Sequence, residues 1–380
     1  MFSLSSWLKA AQRKARTRRA GRRPERLAPG RFVPRLEALE DRTVLSTLTV
    51  TSAADDGSSG TLRAVIASAH KGDTIVFDPS LDGQTITLTQ GQLAIKKSLD
   101  IEGPGASQLS ISGNSASRVF AISNGPTVTV AGLTIANGLA DQGGGIDNQG
   151  ALTLSYDVLS GNQALGDSST TGLGGGLFSE AHASVSVAHS TFLDNQAVGN
   201  VGVGWGGGLM NEGSASVTDS SFTGNQATGG TGSIDKVPGG GFGGGVASAI
   251  SATLSVDNST FTGNQAIDGS GQYGFAGAVG SVLNSSLTVS NSSFSGNQAL
   301  ANSSGATSGG FAGAVGNGSG QNSDSSTLTV TGSSFSNNLA SGFFAAAGGA
   351  VQNGPGDGPV TISYSVFSNN QAIGSGSGAY

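Results

Sequence analysis

The chain has 380 residues, 64 of them glycine, with 36% hydrophobic residues, 11% charged residues and no cysteine. The lack of cysteine excludes a disulfide framework and thiolate metal sites. Disordered chains are usually charged and lack recurring apolar positions. Here Val, Leu, Ile and Phe return at even spacing, which predicts an ordered all-β repeat protein.

Charge is unevenly placed. Residues 1–46 carry twelve Lys/Arg against four Asp/Glu, a net of +8; from residue 121 onward Lys236 stands alone against eleven Asp and two Glu, a net of −12. A basic head before an acidic body implies separate roles. The body would repel phosphate, and the head holds no recognisable reading module, so a nucleic-acid partner is not expected. No apolar segment approaches the roughly 20 residues of a membrane-spanning helix.

Residues 1–46 are expected to be a disordered export or sorting segment. They contain no apolar run of signal-peptide length. Their end, Leu39-Glu40-Asp41-Arg42-Thr43-Val44-Leu45, resembles the LEPR-XLL-type tract of secreted and surface proteins in planctomycete bacteria. Asp41 stands in the place of Pro and Val44 in the place of Leu. The resemblance implies a protein that is secreted or held in the cell envelope or outer membrane, with the head as its address signal.

Residues 47–101 form the next unit. LTVTS at Leu48 reads as a strand and residues 61–70 as a short helix, with Thr61 as N-cap, an apolar stripe of Leu62, Val65, Ile66 and Ala69, and Gly72 as its stop. Strands are expected at TIVF (Thr74), TITL (Thr85) and SLDI (Ser98). Gly60-Thr61-Leu62-Arg63-Ala64 is similar to the CSLREA-type region that precedes many bacterial β-helices, without its Cys or Glu. A stacked solenoid has an open end that must be covered, and the helix is the expected cap.

Residues 102–380 repeat. Phe-x-x-Asn recurs as FLDNQA, FTGNQA, FSGNQA, FSNNLA and FSNNQA, placing Phe192, Phe222, Phe261, Phe294, Phe335 and Phe367 before Asn195, Asn225, Asn264, Asn297, Asn338 and Asn370, with an earlier Asn at 162. A second signal, Gly-[Gly/Ala]-[Ile/Leu/Val], begins at Gly144, Gly175, Gly207, Gly244, Gly277, Gly313 and Gly349. Fixed landmarks at varying intervals describe constant coils joined by loops of changing length. Each coil is expected to hold three short strands. In one of them Val185 and Val187 face inward, and Ser184, Ser186 and Ala188 face outward.

These signals resemble the GGAI and FxxN motifs of the chlamydial polymorphic outer-membrane protein repeat, over roughly residues 120–380. The resemblance implies a right-handed parallel β-helix, a solenoid of the pectin-lyase type, with about nine or ten coils. Stacked at about 4.8 Å, equivalent residues form columns. The Phe column fills the interior. Each Asn takes a tight, left-handed turn and bonds the coils above and below. Gly-Gly supplies conformations that a side chain would block, and the Gln after each Asn marks where scaffold gives way to loop. Asn148, Ser179, Asn211, Ser248, Ser281, Asn317 and Asn353 form a second polar column. After the last NNQA no capping segment is read, so the expectation is either a truncated member of a longer family or end-to-end association of the C-terminal coil with a partner.

Two functional readings follow. The loops Leu165–Leu173, Val198–Trp205, Thr228–Phe242, Ile267–Phe275 and Leu300–Phe311 all leave from one side of the solenoid. Such insertions often form a binding face. Trp205 and Tyr273 are its aromatic candidates for contact with a polysaccharide or a cell-surface protein, and core-edge packing is their other reading. An adhesive or structural binding protein is the first reading.

The alternative is a carbohydrate-active enzyme, since pectate lyases and polygalacturonases share this type of fold. Elimination from a uronate needs a strong base, and the repeats from about residue 120 on have no Arg and only Lys236, in a loop. Glycoside hydrolysis needs two carboxyl groups. Glu180 and Glu212 hold the same repeat position in adjacent coils, with Asp147 nearby and His182 following. That pair could raise a pKa or bind a cation, or stand as a solvated turn edge. No cofactor or metal is implied: GVGWGG at Gly202 lacks a βαβ context, calcium-type nonapeptides are not in register, and His70, His182 and His189 show no ligand spacing.

Overall fold

The computed structural model describes residues 45–167, 170–234, 237–269, 273–301, 308–318, 324–354 and 357–374. The basic head, apart from Leu45 and Ser46, lies outside them, as does Lys236. The described chain is a right-handed parallel β-helix. Strands from successive coils pair only in parallel, apart from the hairpin Ser233–Ile234/Val237–Pro238 inside one loop.

One coil shows the plan. Gly204–Trp205, Leu209–Asn211, Ser214–Thr218, Ser221–Thr223 and Gln226–Thr228 are five short strands. Each belongs to its own sheet running the length of the stack. In the same order we call these the rim, signal, long, Phe and Gln–Ala sheets, with six, nine, eleven, ten and eight strands. The nine and ten strands of the signal and Phe sheets correspond to the expected number of coils. The long sheet begins earlier, at Thr47–Val50 and Thr74–Phe77. Five strands per coil, where three were expected, arise because the QA residues are themselves a strand and each loop ends in another.

The core lies between the signal, long and Phe sheets. Strand Ser184–Ala188 buries Val185 and Val187 and exposes its alternate residues, as period-two patterning requires. Phe192, Phe222, Phe261, Phe294 and Phe335 are fully buried and stack face to face, with centroids 4.5 to 4.9 Å apart. Each contributes roughly 1.5–3 kcal/mol by burial. Phe367, on the last described rung, stacks on Phe335 but is 45% exposed. Near the other end, helix Leu62–Ser68 is N-capped by Thr61 and sends Leu62, Val65 and Ile66 into the same core. Arg63 bonds the buried Asp55 at 2.7 and 3.0 Å and the carbonyls of Gly91 and Gln92.

Three polar columns hold the corners. Each Asn of FxxN donates Nδ2 to Oδ1 of the next Asn, from Asn162 through Asn195, Asn225, Asn264, Asn297 and Asn338 to Asn370, at 2.8 to 3.0 Å. The same Nδ2 also donates to a carbonyl of the preceding coil, such as Phe222 for Asn264. The Asn148–Ser179 and Asn211–Ser248 contacts belong to the second column. The third, Ser190, Ser220, Ser259, Ser292, Ser333 and Ser365, was not anticipated. Each hydroxyl accepts the N–H of its counterpart one rung earlier, as Ser259 does from Ser220.

Two expectations are corrected in detail. The left-handed residue is the one before the ladder Asn: Asp194, Gly224, Gly263, Gly296, Asn337 and Asn369 have φ of 52° to 63°. The ladder Asn is kept for its amide, not its backbone. In the glycine signal, the first Gly serves close approach: a Cβ on Gly207 would lie 2.5 Å from the Gln226 nitrogen.

Candidate functional site

The loop edge is more ordered than a set of insertions. Its Gln residues do not end the scaffold. Gln226, Gln265 and Gln298 sit in paired strands and form their own amide ladder at 3.1 Å. The next column, Leu165, Val198, Thr228, Ile267 and Leu300, is in register and half-exposed, with Leu165 41% exposed. The loops leave from these residues and return into the rim sheet.

The rim sheet brings Leu173, Trp205, Phe242, Phe275 and Phe311 into one column. This column folds over the outer face of the signal sheet, where Phe178, Met210, Ala247, Gly280 and Gly316 are in register. The two form a second hydrophobic core. Side-chain volume falls along the signal column where large rings occupy the rim. The Phe275 ring lies over Gly316, whose Cβ would fall 2.5 Å from it. Trp205 belongs to this packing: it stacks on Phe242 at 4.4 Å and is half-buried. Tyr273 lies at the margin of this packing, 38% exposed, with a tilted contact to Phe311 at 5.6 Å.

Asp147 lies on the outer face of the signal sheet, and Glu180 and Glu212 occupy the turns that lead from that sheet to the long sheet. Asp147 is one rung before Phe178 in the same outward column. Glu180 accepts a hydrogen bond from Gln149 at 2.9 Å, and Glu212 follows one rung later. Burial pushes Asp147 up to about 6, opposed by the Arg118 cation and reinforced by Glu180. Burial, then Glu180, also raises Glu212. Asp147 Oδ1 is buried without a hydrogen-bond partner.

Arg118 is the residue that sequence reasoning missed here. Its guanidinium stands 3.7 Å from Asp147 and 4.0 Å from Asp141, and it donates to the carbonyls of Gly143 and Gln142 and to Gln92 Oε1. Those bonds fix the cation against the protein. The signal was its position as the last arginine of the chain. His182 has a left-handed backbone, φ 69°. Among the described residues, no group of three His, Cys, Asp or Glu is arranged to hold a metal ion.

No protein-family model matches the chain, and no curated protein matches it in sequence. Among solved structures it is similar to the crystal structure of the pectate lyase Pel9A, at 16% identity and a TM-score of 0.41, covering 84% of this chain and 78% of that one. The β-helix assignment itself rests on the strand pairing described above.

Proposed function

We propose that this β-helix is an adhesive or structural binding protein, secreted or held at the bacterial cell surface, that meets a polysaccharide or cell-surface protein through its loop edge. The observation that carries this reading is the half-exposed column from Leu165 to Leu300 beside the glutamine ladder. It sets an apolar stripe next to amides that donate and accept, at the edge from which every loop leaves. Tyr273 is the accessible aromatic contact, while Trp205 is packed on Phe242 within the rim. The address-like head supports the location.

The test is attachment of the full chain to whole cells and to immobilised polysaccharides. Tyr273→Ala and Leu165→Ser should fold as the parent does and lose attachment. Trp205→Ala should lose stability as well, because its ring is packed. Unchanged attachment by all three variants would remove the loop edge from consideration.

A second reading, a carbohydrate-active enzyme, is supported by one observation: Asp147 is held up to about 6 beside Glu180. Polysaccharides would be screened for new reducing ends and unsaturated products, with the Glu180→Gln/Glu212→Gln double variant as control. Activity lost in that variant would favour this reading over adhesion.

A further inference from the structure

The corner between the long and Phe sheets, away from the loop edge, carries a different set of side chains. Its turn residue is left-handed in each rung from Gly132 on: Gly132, Tyr156, His189, Asp219, Asn258, Asn291, Gly332 and Tyr364 have φ between 45° and 67°. Glycine adopts this backbone freely, and Asn, Asp and His tolerate it. A bulky Tyr there is an outlier that costs on the order of 1 kcal/mol. The scaffold accepts Gly at two of these rungs. Side chains at the others are therefore retained for something other than the turn, and strain of this kind points toward function.

Those side chains converge. The Tyr156 ring stacks on His189 at 4.8 Å and 14°, with Tyr156 63% exposed. His189 Nε2 lies 4.0 Å from Asp219 Oδ2, and Asn258 Nδ2 donates to Asp219 Oδ1. His189, Asp219 and Asn258 line an open groove of about 260 Å³ together with Thr191, Ser221 and Thr260. That is just below the ~300 Å³ at which small-ligand sites begin, the scale of one or two sugar rings of a longer chain.

We propose that Tyr156, His189, Asp219 and Asn258 form a binding site for a neutral glycan. One sugar of the chain packs its C–H face on the exposed ring of Tyr156, which stands beside the groove and stacks on His189. The hydroxyls of the following sugars, further along the column, meet an acceptor-only group in Asp219 and mixed donors and acceptors in His189, Asn258 and the Ser and Thr residues of the groove. No Lys or Arg lines the groove, and Asp219 disfavours a uronate or phosphate. The partner is thus uncharged. The proposal stands independently of the loop edge, because the two sites occupy different corners of the coil.

The experiment uses the full chain and affinity gel electrophoresis in dextran, laminarin and mannan, with polygalacturonate as the charged comparison. At least one neutral polymer should retard the parent, and polygalacturonate should not. Tyr156→Gly and His189→Gly suit the left-handed backbone. They should keep or raise the melting temperature while weakening retardation about tenfold, as expected for loss of one aromatic contact. The proposal is overturned if no neutral polymer retards the parent, or if the glycine variants bind as the parent does. It is equally overturned if those variants lose several degrees of melting temperature, which would make the corner a packing device.

Discussion

Asn225 is joined to Asn264 twice: its backbone N–H and its Nδ2 both donate to the one Oδ1, at 3.0 and 2.9 Å. Asn264 Nδ2 in turn donates to the Phe222 carbonyl and to Asn297 Oδ1. Both side chains are fully buried, so no water can replace a lost partner. Asn264→Ala strands two donors on Asn225 and one carbonyl. At about 1–3 kcal/mol for each buried orphan, the loss should exceed about 3 kcal/mol in urea unfolding. Gln265→Leu, one residue on and half-exposed, should cost less than about 1 kcal/mol, since Leu339 already stands in that column. Equal costs for the two would mean that the amide column is not what ties the rungs.

The second core predicts a coupled pair. Gly316→Ala places a methyl against the Phe275 ring and should destabilise by about 1–3 kcal/mol. Phe275→Leu should relieve part of that cost, giving a coupling of at least ~0.5 kcal/mol in a double-mutant cycle. Strict additivity would show that the ring does not rest on the glycine.

Asp157 predicts a dependence on pH. It occupies the serine column one rung before Ser190, and its carboxylate accepts the N–H groups of Leu133 and Ser155. Burial outweighs those bonds and pushes it up to about 8. A carboxyl whose folded value is raised binds its proton more tightly in the folded chain. Stability therefore falls as pH rises from about 4, the unfolded value, toward 8. Asp157→Ser, the residue of the next rungs, should flatten melting temperature over that window and stabilise the protein at its upper end. Identical pH profiles for parent and variant would refute this.

Arg118 predicts an effect on Asp147. Arg118→Met removes the cation and the bonds to Gly143, Gln142 and Gln92. This should cost about 2–5 kcal/mol, as for other partly buried charge partners. Because that cation holds Asp147 down against burial, the Asp147 carboxyl should titrate at higher pH in the variant, as read by carboxyl NMR. An unmoved midpoint would mean that the two charges do not interact.

Much of this molecule was legible in the sequence because solenoid columns repeat at landmarks that local chemistry requires. Phe192 to Phe367 and Asn195 to Asn370 could be aligned by eye, and their stacking follows from the spacing of parallel strands. The serine column was equally written, two residues before every Phe, but serine is so common here that its repetition carried little contrast. The rim sheet could not be read. Its strands are two or three residues long, too short for any periodicity, and they exist only because the next rung supplies the pairing. Arg118 was missed for a related reason. It meets Asp147 one rung on, and only the register of a folded stack makes them neighbours.

The asparagine column has an electrical consequence. Every Nδ2-to-Oδ1 bond from Asn162 to Asn370 runs the same way, so the side-chain dipoles add head to tail instead of cancelling. Each amide polarises the next in a dry interior. The column therefore acts as a thread of aligned dipoles along the solenoid axis, giving the stack a field direction that its parallel sheets, taken strand by strand, do not.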